Sequence, residues 1–263
     1  MRKLVSIGRL FFAIALSGLG IEHFLFEDFI TGRAPQWPEI MPGKLVWAYF
    51  TGVIFIVVGL ATIFQKKARL ALVCAGVLIF GWALLRLIPV VITSPILSGE
   101  WTHIGKALTL SGGALAVAST FPKMVSGQGS SLLRFFNSNQ KFIVGGRLSL
   151  GIFFIITGLQ HFIYKAFVAS LIPVWFPGNA IFWTWLTGIA LITAGIGLFI
   201  NRFSQMAAFL SGIMVFLWFW IVHLPIVFSS KSANIAVFEA LAVSGVALVI
   251  AGCLRKNLPE ETS

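Results

Sequence analysis

Charge is scarce in this chain. Only 10% of its 263 residues are Asp, Glu, Lys or Arg, whereas a soluble domain carries about 25%. Hydrophobic residues make up 58%, and the mean hydropathy is +0.97. So few polar side chains cannot cover the surface of a soluble domain, and this composition excludes one.

Cysteines and catalytic motifs are also scarce. The two cysteines, Cys74 and Cys253, lie in different apolar segments and form no C-x-x-C motif, which excludes dithiol chemistry and a cysteine-ligated metal. The four histidines show no metal-binding spacing, and no phosphate loop, nucleophile elbow or paired-carboxylate motif is present. We therefore expect no metal site.

Long apolar runs, in contrast, fill the chain. Each run is close to the ~20 residues that a helix needs to cross about 30 Å of hydrocarbon. The runs lie at about 4–25, 45–64, 69–92, 102–121, 142–164, 180–200, 204–228 and 234–254. The sequence predicts an all-α integral membrane protein with eight transmembrane helices.

The first half of the sequence recurs in the second half. The matched positions include Gly8 and Gly146, Arg9 and Arg147, His23 and His161, Pro35 and Pro173, Trp37 and Trp175, Gly52 and Gly188, Trp82 and Trp218, Pro89 and Pro225, and Gly112 and Gly245. This pattern indicates a tandem duplication with four spans in each copy. An even number of spans makes both copies enter the membrane in the same direction, so we expect two four-helix bundles related by a pseudo-twofold axis along the membrane normal.

The copies have clear boundaries. The first occupies residues 1–122 and the second residues 142–256, with a short tail at 257–263. Residues 123–141 form the linker, in which a Gly- and Ser-rich stretch precedes a mixed apolar and basic segment suited to the membrane surface.

The distribution of charge predicts the orientation. If the N-terminus is cytoplasmic, most of the 19 basic residues fall in cytoplasmic segments, and only Glu260 and Glu261 of the eight acidic residues do so. The positive-inside rule then places both termini, and the linker, in the cytoplasm. The net charge of +11 is explained by the lipid bilayer as partner, and no nucleic acid is needed.

Polar side chains within the apolar runs converge on the opposite, outer end of the predicted bundles. Ionisable groups at membrane depth are costly unless they pair with one another or serve a function. The candidate ligand-binding residues are Glu22, His23, Arg86, His103, Lys106, His161, His223 and Glu239. Most of the residues that differ between the copies lie in the first copy, which is where we expect the site.

Each candidate has two interpretations. The duplicated His23 and His161 either hydrogen-bond across helices or serve a ligand or a proton, and Glu22 with His23 is the candidate catalytic pair for proton transfer. Arg86 either pairs with Glu22 or contacts an anion or a quinone oxygen.

The remaining candidates are also open to a structural or a functional interpretation. Lys106 and Glu239 occupy equivalent positions, so they are expected to pair near the pseudo-twofold axis. His223 is either a satisfied core histidine or a ligand-binding one. The two Pro-x-Trp elements, at 35–37 and 173–175, are expected to cover the outer end of each bundle or to anchor it at the interface.

These motifs resemble the DoxX-like family of four-helix bacterial membrane proteins. The similarity lies in G-R-L…G-x-x-H-F, then P-x-W, W…G…G, W…P and A-L…S-G, over 8–118 and again over 146–252. The resemblance implies a bacterial inner-membrane location and a link to quinone or oxidative-stress chemistry. The fused arrangement and the replacement of Lys106 by Glu239 in the second copy depart from the family pattern.

The functional hypothesis is a quinone-linked redox component that binds a quinone or another small lipophilic ligand near the outer leaflet. A redox partner protein would then supply electrons. The sequence leaves the cofactor unidentified, with a quinone as the candidate. The alternatives are a transporter for an anion or small solute, with Arg86 and Lys106 as its charges, and a non-catalytic membrane scaffold or assembly factor.

Overall fold

The computed structural model of the chain describes residues 2–30, 37, 40–123, 138–229 and 236–254. Throughout these ranges the regular structure is helical. The helices are α1 (Arg2–Leu25), α2 (Lys44–Ile63), α3 (Ala68–Thr93), α4 (Gly99–Ala118), α5 (Asn139–Ile163), α6 (Lys165–Ser170), α7 (Ala180–Phe199), α8 (Ser204–Trp218), α9 (Leu224–Ser229) and α10 (Ala236–Cys253). A π-helical turn, Phe219–His223, joins α8 to α9.

Among the described residues, seven helical stretches are long and apolar enough to cross a membrane, with Ser204–Phe228 counted as one. The chain is therefore an all-helical, multi-pass membrane protein. The remaining long helix, α4, has 20 residues, but Glu100 and Lys106 lie in its first half and more than half of its residues are buried. Because α4 is covered by other helices, it can carry polar groups that a lipid-facing helix could not. The count of eight spans stays a prediction.

The first helix of each half packs against the last helix of the other half. Helix α1 makes its most extensive contacts with α10 and α2, and α5 makes its most extensive contacts with α7 and α4. Glycines allow these crossings: a Cβ at Gly245 would lie 2.7 Å from the carbonyl oxygen of Gly8, and one at Gly146 would lie 2.7 Å from that of Gly112. The two crossings occupy positions that the sequence repeat matches, and they interlock the halves.

A second pair of crossings lies beside the duplicated histidines. A Cβ at Gly20 would lie 2.6 Å from the carbonyl oxygen of Gly52, and one at Gly158 would lie 2.9 Å from that of Gly188. These contacts hold α1 against α2 and α5 against α7, as small residues do in lipid.

Arginines organise the opposite end of the bundle. The guanidinium of Arg9 donates to Thr120 Oγ1 at 2.7 Å and lies 4.2 Å from the ring centre of Phe121. Arg69 Nη1 donates to Asn139 Oδ1 at 2.8 Å and to the carbonyl oxygen of Phe121 at 3.1 Å. These buried cations hydrogen-bond the chain where α4 ends, so they stabilise the structure at this end.

Several predicted features fall outside the described residues. They are Pro35, Gln36 and Pro38 of the first Pro-x-Trp element, linker residues 124–137, and the tail at 257–263.

Candidate functional site

A cavity of about 470 Å³ opens in the second half, at the predicted outer end of the helices. Its wall is almost entirely apolar and aromatic, which is typical of pockets for small lipophilic molecules. The lining residues are His161, Val168, Leu171, Ile172, Phe176, Trp183, Leu186, Thr187, Ala190, Met214, Leu217, Trp218, Ile221, Val222 and His223. Two of the eight predicted site residues, His161 and His223, are among them.

The orientation of His161 is fixed by its own helix. Its Nδ1 lies 2.7 Å from the carbonyl oxygen of Thr157, one turn earlier in α5. A carbonyl oxygen can only accept, so Nδ1 carries the hydrogen and Nε2 is the acceptor in the neutral ring. The ring stacks on Trp218, with 6.2 Å between ring centres. The site thus presents one hydrogen-bond acceptor beside a flat aromatic surface.

The π-helical turn brings His223 to the same cavity. Within this turn the N–H of Leu224 donates to the carbonyl oxygen of Phe219, one residue farther back than in an α-helix. Pro225 follows and has no N–H to continue the normal pattern. The wider turn places Ile221, Val222 and His223 on the cavity wall. Turns of this kind are frequent at functional sites.

The segment after α5 covers the cavity. Phe176, the residue after the Pro-x-Trp element, lines it, while Val174 and Trp175 are exposed. The segment is tied down because Trp183 Nε1 donates to the carbonyl oxygen of Pro177 at 2.7 Å. Gly178 adopts a φ of 92°, which only glycine takes without strain, and turns the chain into α7. Phe176 lines the cavity, whereas the Pro-x-Trp element itself does not, and the choice between covering the bundle and anchoring it stays open.

The corresponding corner of the first half is filled. His23 Nδ1 lies 2.8 Å from the carbonyl oxygen of Leu19, as in the second half. The ring of Phe29 packs edge-on against His23 and Trp82, with 6.3 Å between centres in each case, and stacks on Trp37. A space of only about 10 Å³ remains there. The first half therefore places its own aromatic side chain where the second half has a cavity.

The Lys106–Glu239 pairing is confirmed. Lys106 Nζ donates to Glu239 Oε2 at 2.8 Å, joining α4 to α10. Because the two residues occupy equivalent positions, this ion pair lies between the halves and depends on their difference in sequence.

Arg86 forms an ion pair with Glu100, an acid that the sequence analysis did not single out. The signal was available, since Glu100 lies in the first turn of α4, where the helix dipole favours a carboxylate. Glu22 is buried, and its pairing with Arg86 stays a prediction.

Gln160 occupies the position in the second half that matches Glu22, and its side-chain amide forms hydrogen bonds to the first half. Its Nε2 donates to the carbonyl oxygens of Leu97 and Ser98, at 3.0 and 2.8 Å, and its Oε1 accepts from Thr102. This amide fastens α5 to the chain that enters α4.

His103 lies on α4, partly buried, one turn from Lys106. Its ring is within electrostatic reach of Lys106, Glu239, Arg86 and Glu100. Together these side chains form a polar cluster outside the cavity. His223 is within reach of Lys106 and Glu239, so it lies between the cluster and the cavity.

Sequence analysis missed Trp218, Trp183 and Phe176 as cavity residues. The candidates chosen from the sequence were the rare polar and charged side chains, which left these aromatic residues out. The duplication of Trp82 and Trp218 was the available signal, since both line the corner next to a histidine. The site was expected in the first half. Because the corner of that half is already filled, the structure does not support this expectation.

In the part of the chain that the structure describes, no group of three or more His, Cys, Asp or Glu side chains is arranged to hold a metal ion.

Comparison with known proteins adds one family. Residues 150–252 match the model of a family described only as a domain of unknown function, DUF8561. The match falls on the half that contains the cavity. No curated protein and no solved structure matches the chain.

Proposed function

We propose that this protein binds a flat lipophilic ring compound, a quinone or a close analogue, in the cavity of its second half. In this proposal it is a membrane component of a quinone-linked redox process, as its resemblance to DoxX-like proteins suggests. The volume, the apolar wall and the two histidines support this assignment.

One observation carries the proposal. Both halves place the matched histidine and tryptophan at this corner. In the first half the ring of Phe29 packs edge-on against His23 and Trp82, whereas in the second half His161 and Trp218 stack on each other. The second half has the corner without the internal ring, since Phe167, at the position matching Phe29, is 65% exposed. A planar ring of similar size is therefore the ligand shape that this corner accepts.

The histidines supply the polar contacts. A quinol releases two protons and two electrons when it becomes a quinone. His161 Nε2 can accept a hydrogen bond from one quinol hydroxyl and then take its proton, and His223, which also lines the cavity, can take the second proton. In the reverse direction the two protonated rings return their protons to the reduced quinone. The electrons pass to or from a partner protein.

Location and topology complete the proposal. We place the protein in a bacterial inner membrane, with eight spans and both termini in the cytoplasm, so that the cavity lies near the outer leaflet. The long apolar helices and the charge distribution support this arrangement. The transport alternative gains nothing from the structure, because Arg86 and Lys106 pair with Glu100 and Glu239.

The test is quinone binding by the purified protein. A benzoquinone should quench the fluorescence of Trp183 and Trp218. In His161→Leu the affinity for the corresponding benzoquinol, whose hydroxyl can donate to Nε2, should fall by roughly tenfold, the effect of losing one hydrogen bond of about 1.4 kcal/mol, measured by displacement of the bound benzoquinone. The matched control is His23→Leu, at the equivalent but filled corner, which should leave the affinity unchanged. Absence of quenching in the unaltered protein, or equal loss in both variants, would contradict the proposal.

A further inference from the structure

A second apolar space lies beside the cavity. It is a groove of about 550 Å³ between α7 and α8. Leu186, Ala190 and Met214 line both the cavity and the groove. The two spaces are therefore adjacent, and the groove leads away from the histidines along the helices.

The shape of the groove suits an extended hydrocarbon chain. Small residues, Ala194, Gly197 and Ala207, lie along it, and long aliphatic side chains such as Ile189 and Leu210 flank it. The flanking side chains are more than half exposed. One side of the groove consequently faces the surroundings of the helix, which in a membrane are lipid tails.

The packing of α7 on α8 explains why the groove exists. These helices share far fewer contacts than α7 shares with α5. They approach closely where a Cβ at Gly197 would lie 2.9 Å from the Cβ of Ala207, near the turn that joins them. From Leu186 to Ile200 the groove follows α7 for about 21 Å, at 1.5 Å per residue.

We infer that the ligand of the cavity carries a long apolar tail, which lies in this groove and by which the ligand enters from the bilayer. The inference rests on the proposed function, since the head of the same molecule occupies the cavity. The adjacency of the two spaces favours a tailed ring over a free acyl chain, because an acyl chain alone would leave the histidine–tryptophan corner empty. A tail in lipid gains little from leaving water, so its contribution comes from packing against the groove.

The experiment compares three probes in detergent at fixed mole fraction. They are a tailless benzoquinone, a benzoquinone with an isoprenoid chain of about 20 Å, long enough for the groove, and a decyl alcohol without a ring. We expect the tailed quinone to bind at least ten times more tightly than the tailless one. The alcohol should not displace it.

A groove-filling variant locates the tail. Ala194 lines the groove but not the cavity, so Ala194→Phe should lower the affinity for the tailed quinone to that of the tailless one and leave the latter unchanged. The control is Ile213→Phe. Ile213 is an exposed residue of α8 that lines neither the cavity nor the groove, so this change should alter neither affinity.

The outcomes separate this inference from the proposed function. If the tailless ring binds but the tail adds nothing, or if Ala194→Phe weakens both quinones equally, the tail does not lie in the groove. If decyl alcohol displaces the tailed quinone as effectively as another tailed quinone does, the groove holds ordinary lipid chains, and the inference is wrong. If neither quinone binds, the proposed function itself fails.

Discussion

The two halves of this protein share a corner and differ in what fills it. In the first half Phe29 and Trp37 complete an aromatic cluster around His23 and leave about 10 Å³. In the second half the corresponding corner opens into about 470 Å³. The difference shows that two corners with matching sequence can be closed by an internal side chain in one half and open in the other.

The largest loss of stability is expected when both halves carry a carboxylate at the positions where Lys106 and Glu239 now pair. Lys106→Glu places a second carboxylate beside Glu239, where an ion pair of 2.8 Å now lies. Losing a buried pair in this way should lower the free energy of unfolding by about 3–5 kcal/mol. Thermal unfolding in detergent measures it.

The matched control for that change is the exchanged pair, Lys106→Glu with Glu239→Lys. It restores opposite charges at the same two positions, so most of the stability should return. If the double variant is as unstable as Lys106→Glu alone, the ion pair does not stabilise the contact between the halves.

A smaller effect follows from crowding the helix crossings that support each histidine. Gly158→Val puts a side chain against Ile192 and the carbonyl oxygen of Gly188 and should destabilise the protein by roughly 3 kcal/mol, the upper part of the usual cost of overpacking. Gly20→Val, the equivalent change, should cost a similar amount.

The two glycine variants should differ in quinone binding. Only Gly158→Val displaces α5, which carries His161, so only this variant should lose affinity by more than tenfold, since displacement removes both the hydrogen bond and the stacked surface. Equal binding by both variants in their folded fractions would argue against the second-half site.

The smallest change in stability is expected from opening the first half. Phe29→Ala removes a partly buried ring and should cost about 2 kcal/mol, less than the loss of a fully buried phenylalanine. It should also create a second quinone site, raising the stoichiometry measured by equilibrium dialysis from one to two. Tyr49→Ala, which removes an aromatic ring from the α1–α2 contact without opening the corner, is the control. A stoichiometry that stays at one would show that the first-half corner does not accept the same ligand.

Much of the fold could be predicted from the sequence because hydrophobic length and glycine spacing determine it locally. A helix lies in each of the predicted apolar runs, and the glycines form the close crossings. The pairing of Lys106 with Glu239 could be predicted because the repeat aligns them. The exchange of partners between halves could not, since α1 recognises α10 through backbone contact at Gly8 and Gly245, which any small residue on another helix would also allow.

The site was harder to predict, for a physical reason. A cavity is a property of how side chains are directed, and the sequence of the second half contains the same His and Trp as the first. What opens the cavity is the π-helical turn at Phe219–His223 and the exposure of Phe167, and neither leaves a pattern in hydrophobicity. Charged residues drew attention because they are rare, yet Arg86, Lys106 and Glu239 form ion pairs outside the cavity.

The interlocked helices also constrain how the protein is made. Helix α1 is synthesised before all the other helices described, but its glycine face packs on α10, the last of them. Until α10 enters the membrane, α1 must expose that face to lipid or to a helper protein. The contact of α1 with α10 therefore forms only after the second half has been made, whereas α1 can pack on α2 before that.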